Sequence, residues 1–167
     1  MTHFREVQKF RQPWLWLLLI APMGFIGWGA YQQFVLRRPW GDRPMPDTGL
    51  LVFCGAMALF LVWFFVLRLV TEVRDNEVTV QFVPMWRKRT IALAQIRGAE
   101  SVQYRPIRDY GGWGIRRGLT GWAYNVSGNR GVLLKFFGGT DVLIGSQRPE
   151  ELAAVIEERR KVMPSGR

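Results

Sequence analysis

Apolar residues are concentrated in two long runs near the start of the chain, and the pattern changes character after them. The first run extends from Trp14 to Val35, opens WLWLLLIAPMGFIGWGA, and carries its polar residues, Gln32 and Gln33, near its end. The second, Gly49 to Leu67, reads GLLVFCGAMALFLVWFFVL without one charge. Nineteen residues rising about 1.5 Å each reach roughly 28 Å, close to the ~30 Å hydrocarbon core of a bilayer. Inside lipid every backbone N–H and C=O must be paired within its own segment, so the pattern predicts two spanning helices. The first run is too long for the apolar part of a signal peptide and lacks a clean A-x-A site, so it is expected to be an uncleaved anchor. Pro39, Gly41, Pro44 and Pro46 exclude regular structure from the link between the runs.

From Val70 onward apolar positions alternate. In EVTVQFV, Val78, Val80 and Phe82 alternate with Thr79 and Gln81, as a half-buried strand requires. Strands are predicted at Val70–Arg74, along EVTVQFV, and at Arg89–Leu93, Gly98–Tyr104, Trp122–Val126, Gly131–Phe137 and Asp141–Gly145. The last two are joined around Gly138-Gly139, a favourable hairpin turn. A closing helix is predicted from Pro149, which suits a first helical position. Glu150 and Glu151 complement its positive start, and Arg159, Arg160 and Lys161 its negative end. The expected organisation is therefore a flank at 1–13, a transmembrane helix at 14–35 and an external loop at 36–48. A second transmembrane helix follows at 49–69, then a domain at 70–163 and a tail at 164–167. About seven strands with one amphipathic C-terminal helix predict a small barrel or sandwich.

Charge adds a topology. The net charge is +10, and 19 of the 23 basic residues are arginine. Arg5, Lys9 and Arg11 precede the first run, and Arg68, Arg74, Arg87, Lys88 and Arg89 follow the second, against Arg37, Arg38 and Arg43 in the link. Eight cations against three predict that both termini lie in the cytoplasm. A basic domain tethered to a bilayer points to anionic head groups before nucleic acid. No recognition helix or aromatic strand motif accompanies the charge, so no nucleic-acid partner is expected.

Candidate chemistry is sparse. Cys54 and His3 are the single cysteine and histidine, which excludes a Cys/His zinc site and nucleophilic triads built on imidazole. The acids form no compact D-x-D or E-x-x-E group, so no metal or cofactor is expected. Gly112, Gly114 and Gly118 are mis-spaced for a dinucleotide loop, and no Lys-Ser/Thr ending marks a P-loop.

Two segments combine cations with aromatic residues. One is Met85–Arg89, with Trp86, Arg87, Lys88 and Arg89. The other is the glycine-rich stretch around Tyr110–Trp122, with Trp113, Arg116 and Arg117, preceded by Arg105 and Arg108. Three readings of the second stay open: arginines on lipid phosphates with tryptophan at the interface, a Trp/Arg protein contact, or a rigid loop with Trp113 plugging the core. The first segment reads as a solvated turn and topology signal, or as a head-group contact.

The strings YRPIRDYGGWGIRRG (Tyr104–Gly118), AYNVSGNRGVLL (Ala123–Leu134) and LIGSQRPEEL (Leu143–Leu152) resemble an uncharacterised family of bacterial two-helix membrane proteins. That family carries a pleckstrin-homology-like domain after the helices. The resemblance implies that fold and an inner-membrane location, and brings no catalytic residues. The expectation is a non-catalytic membrane protein whose domain mediates protein contacts or oligomeric assembly. The alternatives are an anionic-lipid-surface module and, more weakly, an enzyme using paired carboxylates.

Overall fold

A computed structural model describes residues 1–85, 87–118 and 121–162 of the chain. It divides into two units, one of residues Arg11–Val66 and one combining Met1–Phe10 with Leu67–Arg167.

The first unit is a helical hairpin. Helix α1 spans Pro13–Phe34, with Pro13 in its first turn, where the missing N–H costs no hydrogen bond. Helix α2 spans Asp47–Val66. Both are long and apolar enough to cross a membrane, and almost none of either is buried within the protein. The link folds back on α1: Trp40 packs edge-on to Phe25, ring centroids 5.1 Å apart, over Gly29. Any Cβ at Gly29 would overlap the indole ring, so the glycine makes room for it. Gln33 Nε2 donates to the Met45 carbonyl at 2.8 Å and to Asp47 Oδ1 at 2.6 Å, closing the turn between the helices.

The second unit contains nine strands in two open sheets and a C-terminal helix among its described residues. Sheet 1 is built from β1 (Thr2–Lys9), β2 (Arg68–Arg74), β3 (Glu77–Val83) and β4 (Arg89–Ala92), in that spatial order and antiparallel throughout. Strand β5 (Ile96–Gln103) opens sheet 2. A short helix, α3 (Pro106–Tyr110), separates it from β6 (Gly114–Arg117), β7 (Gly121–Asn125), β8 (Arg130–Phe136) and β9 (Asp141–Gly145). Sheet 2 has the order β5-β8-β9-β7-β6, with β7 and β9 parallel. Helix α4 spans Pro149–Val162.

All seven predicted strands are present, and α4 starts at the predicted proline. Three expectations need correction. Residues 1–13 are not a mere flank: β1 pairs with β2 along its length, from Thr2 opposite Arg74 to Lys9 opposite Arg68. The second apolar helix ends at Val66 rather than at residue 69, because Leu69 and Val73 are wholly buried by alternating along β2. The β unit accordingly does not begin at residue 70, and a fragment starting there lacks β1. Strand β6 is the other unanticipated strand.

One core joins both sheets and α4. Phe4, Leu69, Val80 and Phe82 from sheet 1 meet Ile96, Val132, Leu134 and Ile144 from sheet 2, with Leu152 and Ile156 from α4. Fully burying each such side chain contributes about 1.5–3 kcal/mol. Glu157 pins α4 to β5, accepting from the Ala99 amide at 2.8 Å and from Arg160 at 2.7 Å. Its partial burial works against ionisation, but these donors outweigh it and hold the carboxyl below its ordinary range.

A smaller cluster of Tyr104, Tyr110, Ala123 and Leu143 lies apart from this core. Burial there pushes the Tyr104 phenol up to about 12, from an ordinary value near 10. The folded state therefore favours the neutral phenol. This contribution is intact below about pH 10 and is lost between about pH 10 and 12, where the unfolded tyrosine ionises first. Denaturant titrations across that window should show wild type losing on the order of 2 kcal/mol more than Tyr104→Phe. Equal losses in the two proteins would contradict the assignment.

Candidate functional site

Strand register places the two aromatic and basic segments. Lys9, Arg68 and Val83 are successive cross-strand partners, so one end of sheet 1 carries both points at which the chain passes to and from the apolar helices. The β3–β4 turn, opening at a cis Val83–Pro84 bond, projects from that same end. Gln8 Nε2 donates to the Gly145 carbonyl at 2.7 Å and ties this end to the end of sheet 2 where Gly131 faces Gly145. At that end of sheet 2 the Gly114 amide donates to Asn125 Oδ1 at 2.9 Å, and Trp113 Nε1 donates to the Gly128 carbonyl at 3.1 Å.

The two segments converge on a cleft of about 360 Å³ lined by Met85, Trp113, Gly114, Ile115, Arg116 and Trp122. Met85 arrives from the β3–β4 turn, Ile115 and Arg116 from β6, and Trp122 from β7. Met85 is 45% and Trp122 37% exposed, so the cleft presents apolar surface to its opening. Gly114, at φ +117°, adopts a backbone conformation that few other residues tolerate, and it sets the direction of β6. The Arg116 Nε donates to the Trp113 carbonyl at 3.2 Å, which holds the guanidinium along the cleft rim.

The cations singled out from the sequence divide into two groups. Arg89 is half-buried, donates to Tyr124 Oη at 2.7 Å and lies 5.3 Å from that ring's centroid, so it braces β4 against β7. Arg87, Lys88, Arg116 and Arg117 are exposed, as are Arg105 and Arg108 at α3, and none of the six forms an ion pair with a described residue. Elsewhere on the β unit, Arg5, Arg74, Arg130, Lys135, Arg148 and Arg160 are each matched to a carboxylate. No acid occurs between Glu77 and Glu100, the stretch that contains the β3–β4 turn. Asp75 and Glu77 lie instead at the far end of sheet 1. Sheet 1 therefore concentrates unmatched cations, among its described residues, at the end that carries the β3–β4 turn.

Trp113 does not plug the core: it is half-buried, lines the cleft and belongs to neither core cluster. Trp86 lies outside the described residues. Arg105 and Arg108 sit on and before α3 rather than in the cleft; the Arg105 amide donates to Asp109 Oδ2 at 2.8 Å. The sequence reading missed Met85 as a cleft wall. Its one signal was an apolar residue placed directly after Pro84, at the mouth of a turn. Among the described residues no group of three or more His, Cys, Asp or Glu side chains is placed to hold a metal ion.

The features present define a class: an apolar two-helix hairpin joined at both ends to a two-sheet β unit with an aromatic, cationic cleft. Neither a protein-family model nor a curated protein matches the chain.

Proposed function

We propose that this is a non-catalytic integral membrane protein whose β unit engages the anionic surface of the bilayer that anchors it. The carrying observation is that exposed Arg116 and the apolar side chains of Met85, Trp113 and Trp122 meet in one cleft, and that its Met85 wall comes from the β3–β4 turn, which also carries exposed Arg87 and Lys88 at the sheet 1 end where the chain passes to the apolar helices. Arginine and lysine suit lipid phosphates, and tryptophan suits the interface between head groups and chains. The links are short: Phe10 to Gln12 between β1 and α1, and Leu67 alone between α2 and β2.

Pairing of β1 with β2 supports a hairpin with both ends on one side of the membrane, since residues 9 and 68 are opposite each other in one sheet. The cation bias, eight against three, supports the cytoplasm as that side. A pleckstrin-homology-like assignment, in a bacterial inner membrane, is supported by the two-sheet core capped by one C-terminal helix. The two separate open sheets, the parallel β7–β9 pair and the strand contributed from before the hairpin depart from the expected closed barrel.

The test uses the full chain in nanodiscs, with amide exchange followed at residues 84–88 and 111–118. Anionic lipid should protect these segments, and zwitterionic lipid or high salt should release them. Each basic residue near such a surface contributes about 1 kcal/mol. Replacing Arg87, Lys88 and Arg117 together by glutamine should thus reduce protection by roughly a hundredfold. Protection indifferent to lipid charge would overturn the reading. A second reading, protein contact or self-assembly, is favoured by Ile107 and Phe137, 69% and 71% exposed and outside the cleft. It predicts a mass above that of one chain in mild detergent.

A further inference from the structure

Arg116 is held in a way that a merely solvated arginine is not. Its Nε is committed to the Trp113 carbonyl, and the stem lies over Gly114, where a Cβ would come within 3.9 Å of that nitrogen. The two terminal nitrogens remain as a planar pair of donors, the geometry that grips two oxygens of one phosphate. The rest of the lining is mainly apolar: Met85, Ile115, Trp113 and Trp122. A free phosphate would use the guanidinium and leave that wall wet. A phosphate carrying an acyl glycerol would use both.

We propose that the cleft seats one anionic phospholipid, its phosphate on Arg116 and its glycerol and upper chain region against Met85, Ile115 and Trp122. This rests on the membrane-surface reading above and adds a stoichiometric site to it. Charge complementarity selects this occupant: Arg87, Lys88, Arg116 and Arg117 carry no described carboxylate partner and favour a lipid of net negative charge over a zwitterionic one. The cleft volume of about 360 Å³ matches part of a lipid and not the whole, so the chain ends stay in the bilayer.

The experiment is native mass spectrometry of the full chain in mild detergent with equal amounts of phosphatidylglycerol and phosphatidylcholine. Wild type should retain one more phosphatidylglycerol than Arg116→Gln, with phosphatidylcholine adducts on the hairpin unchanged. Apparent affinity for that lipid should fall about tenfold or more in Arg116→Gln. Arg116→Lys, which keeps the charge and loses the fork, should fall in between. Trp122→Ala should lose the same adduct with no change in charge, an effect that simple surface attraction does not produce. Millimolar inorganic phosphate should leave the adduct in place. Equal phosphatidylglycerol retention by wild type, Arg116→Gln and Trp122→Ala, or full displacement by inorganic phosphate, would overturn the single-lipid site. Persisting charge-dependent protection in nanodiscs would then leave the surface reading standing, and its loss as well would remove both. Circular dichroism of each variant separates a lost site from a lost fold.

Discussion

Gly121→Ala is expected to lower the melting temperature of the β unit by roughly 10–25 °C, one of the two largest effects of any single change considered. Gly121 opens β7 at φ +141°, a conformation that residues with a Cβ rarely adopt. It also faces Asp141 across the parallel β7–β9 pair, and an added Cβ would overlap the Asp141 carbonyl oxygen. That oxygen belongs to backbone in the neighbouring strand and cannot swing aside. Holding an unfavourable φ costs about 1–3 kcal/mol, and forcing the strands apart costs about 1–3 more. The sum, about 2–6 kcal/mol, is a large share of the 5–15 kcal/mol typical of a domain. Gly139→Ala is the matched control: its φ is +92°, yet nothing lies within 4 Å of the added carbon. It should show the backbone cost alone, about 1–3 kcal/mol. The check is thermal melting of the full protein in detergent, followed by near-ultraviolet circular dichroism. Equal shifts for the two variants would show that the clash with Asp141 is relieved by other means.

What could be read from the sequence depended on which residues face inward. The strands found in advance carry either apolar residues at every second position, as Val78, Val80 and Phe82 do in β3, or a short apolar run, as Val142, Leu143 and Ile144 do in β9. Strand β1 buries Phe4, Glu6 and Gln8 on its inward face, so two of its three inward positions are polar and the periodic signal is absent. Strand β6 is four residues long with Ile115 as its one apolar residue between Gly114 and two arginines. Alternation cannot be recognised in so short a segment, although its Arg116 and the preceding Trp113 were singled out on composition. The convergence of Met85 with Trp113 and Trp122 was hidden for another reason. It depends on register across two sheets and on the loop between β3 and β4, and neither leaves a periodic trace. Arg89 shows the converse error. In sequence it is one of three consecutive cations, while in the fold the strand carries it inward onto Tyr124 and away from its neighbours.

The polar residues that disguised β1 are also what locks it in place, and Glu6→Ala should expose this. Glu6 is 7% exposed; its Oε2 accepts from Ser146 Oγ at 2.6 Å and its Oε1 from the Gln147 amide at 2.7 Å. Ser146 Oγ in turn accepts from the Arg148 amide at 3.0 Å, and Arg148 donates to the Arg5 carbonyl at 2.9 Å while lying over the Phe4 ring. The edge strand is thereby fastened to the corner between β9 and α4. Removing the carboxylate leaves the Ser146 hydroxyl and the Gln147 amide without their acceptor, at a cost of about 2–4 kcal/mol. Glu6→Gln keeps one acceptor oxygen and should lose about half as much. Because the change acts at the seat of one strand, amide exchange should rise across residues 2–9 and their partners 68–74 well before it rises across 132–136 in sheet 2. Ser146→Ala alone and combined with Glu6→Ala closes a double-mutant cycle, with an expected coupling of about 1–2 kcal/mol. Uniform exchange across both sheets would mean that β1 is not a separately held element. Additive losses in the cycle would mean that Glu6 stabilises through some group other than Ser146.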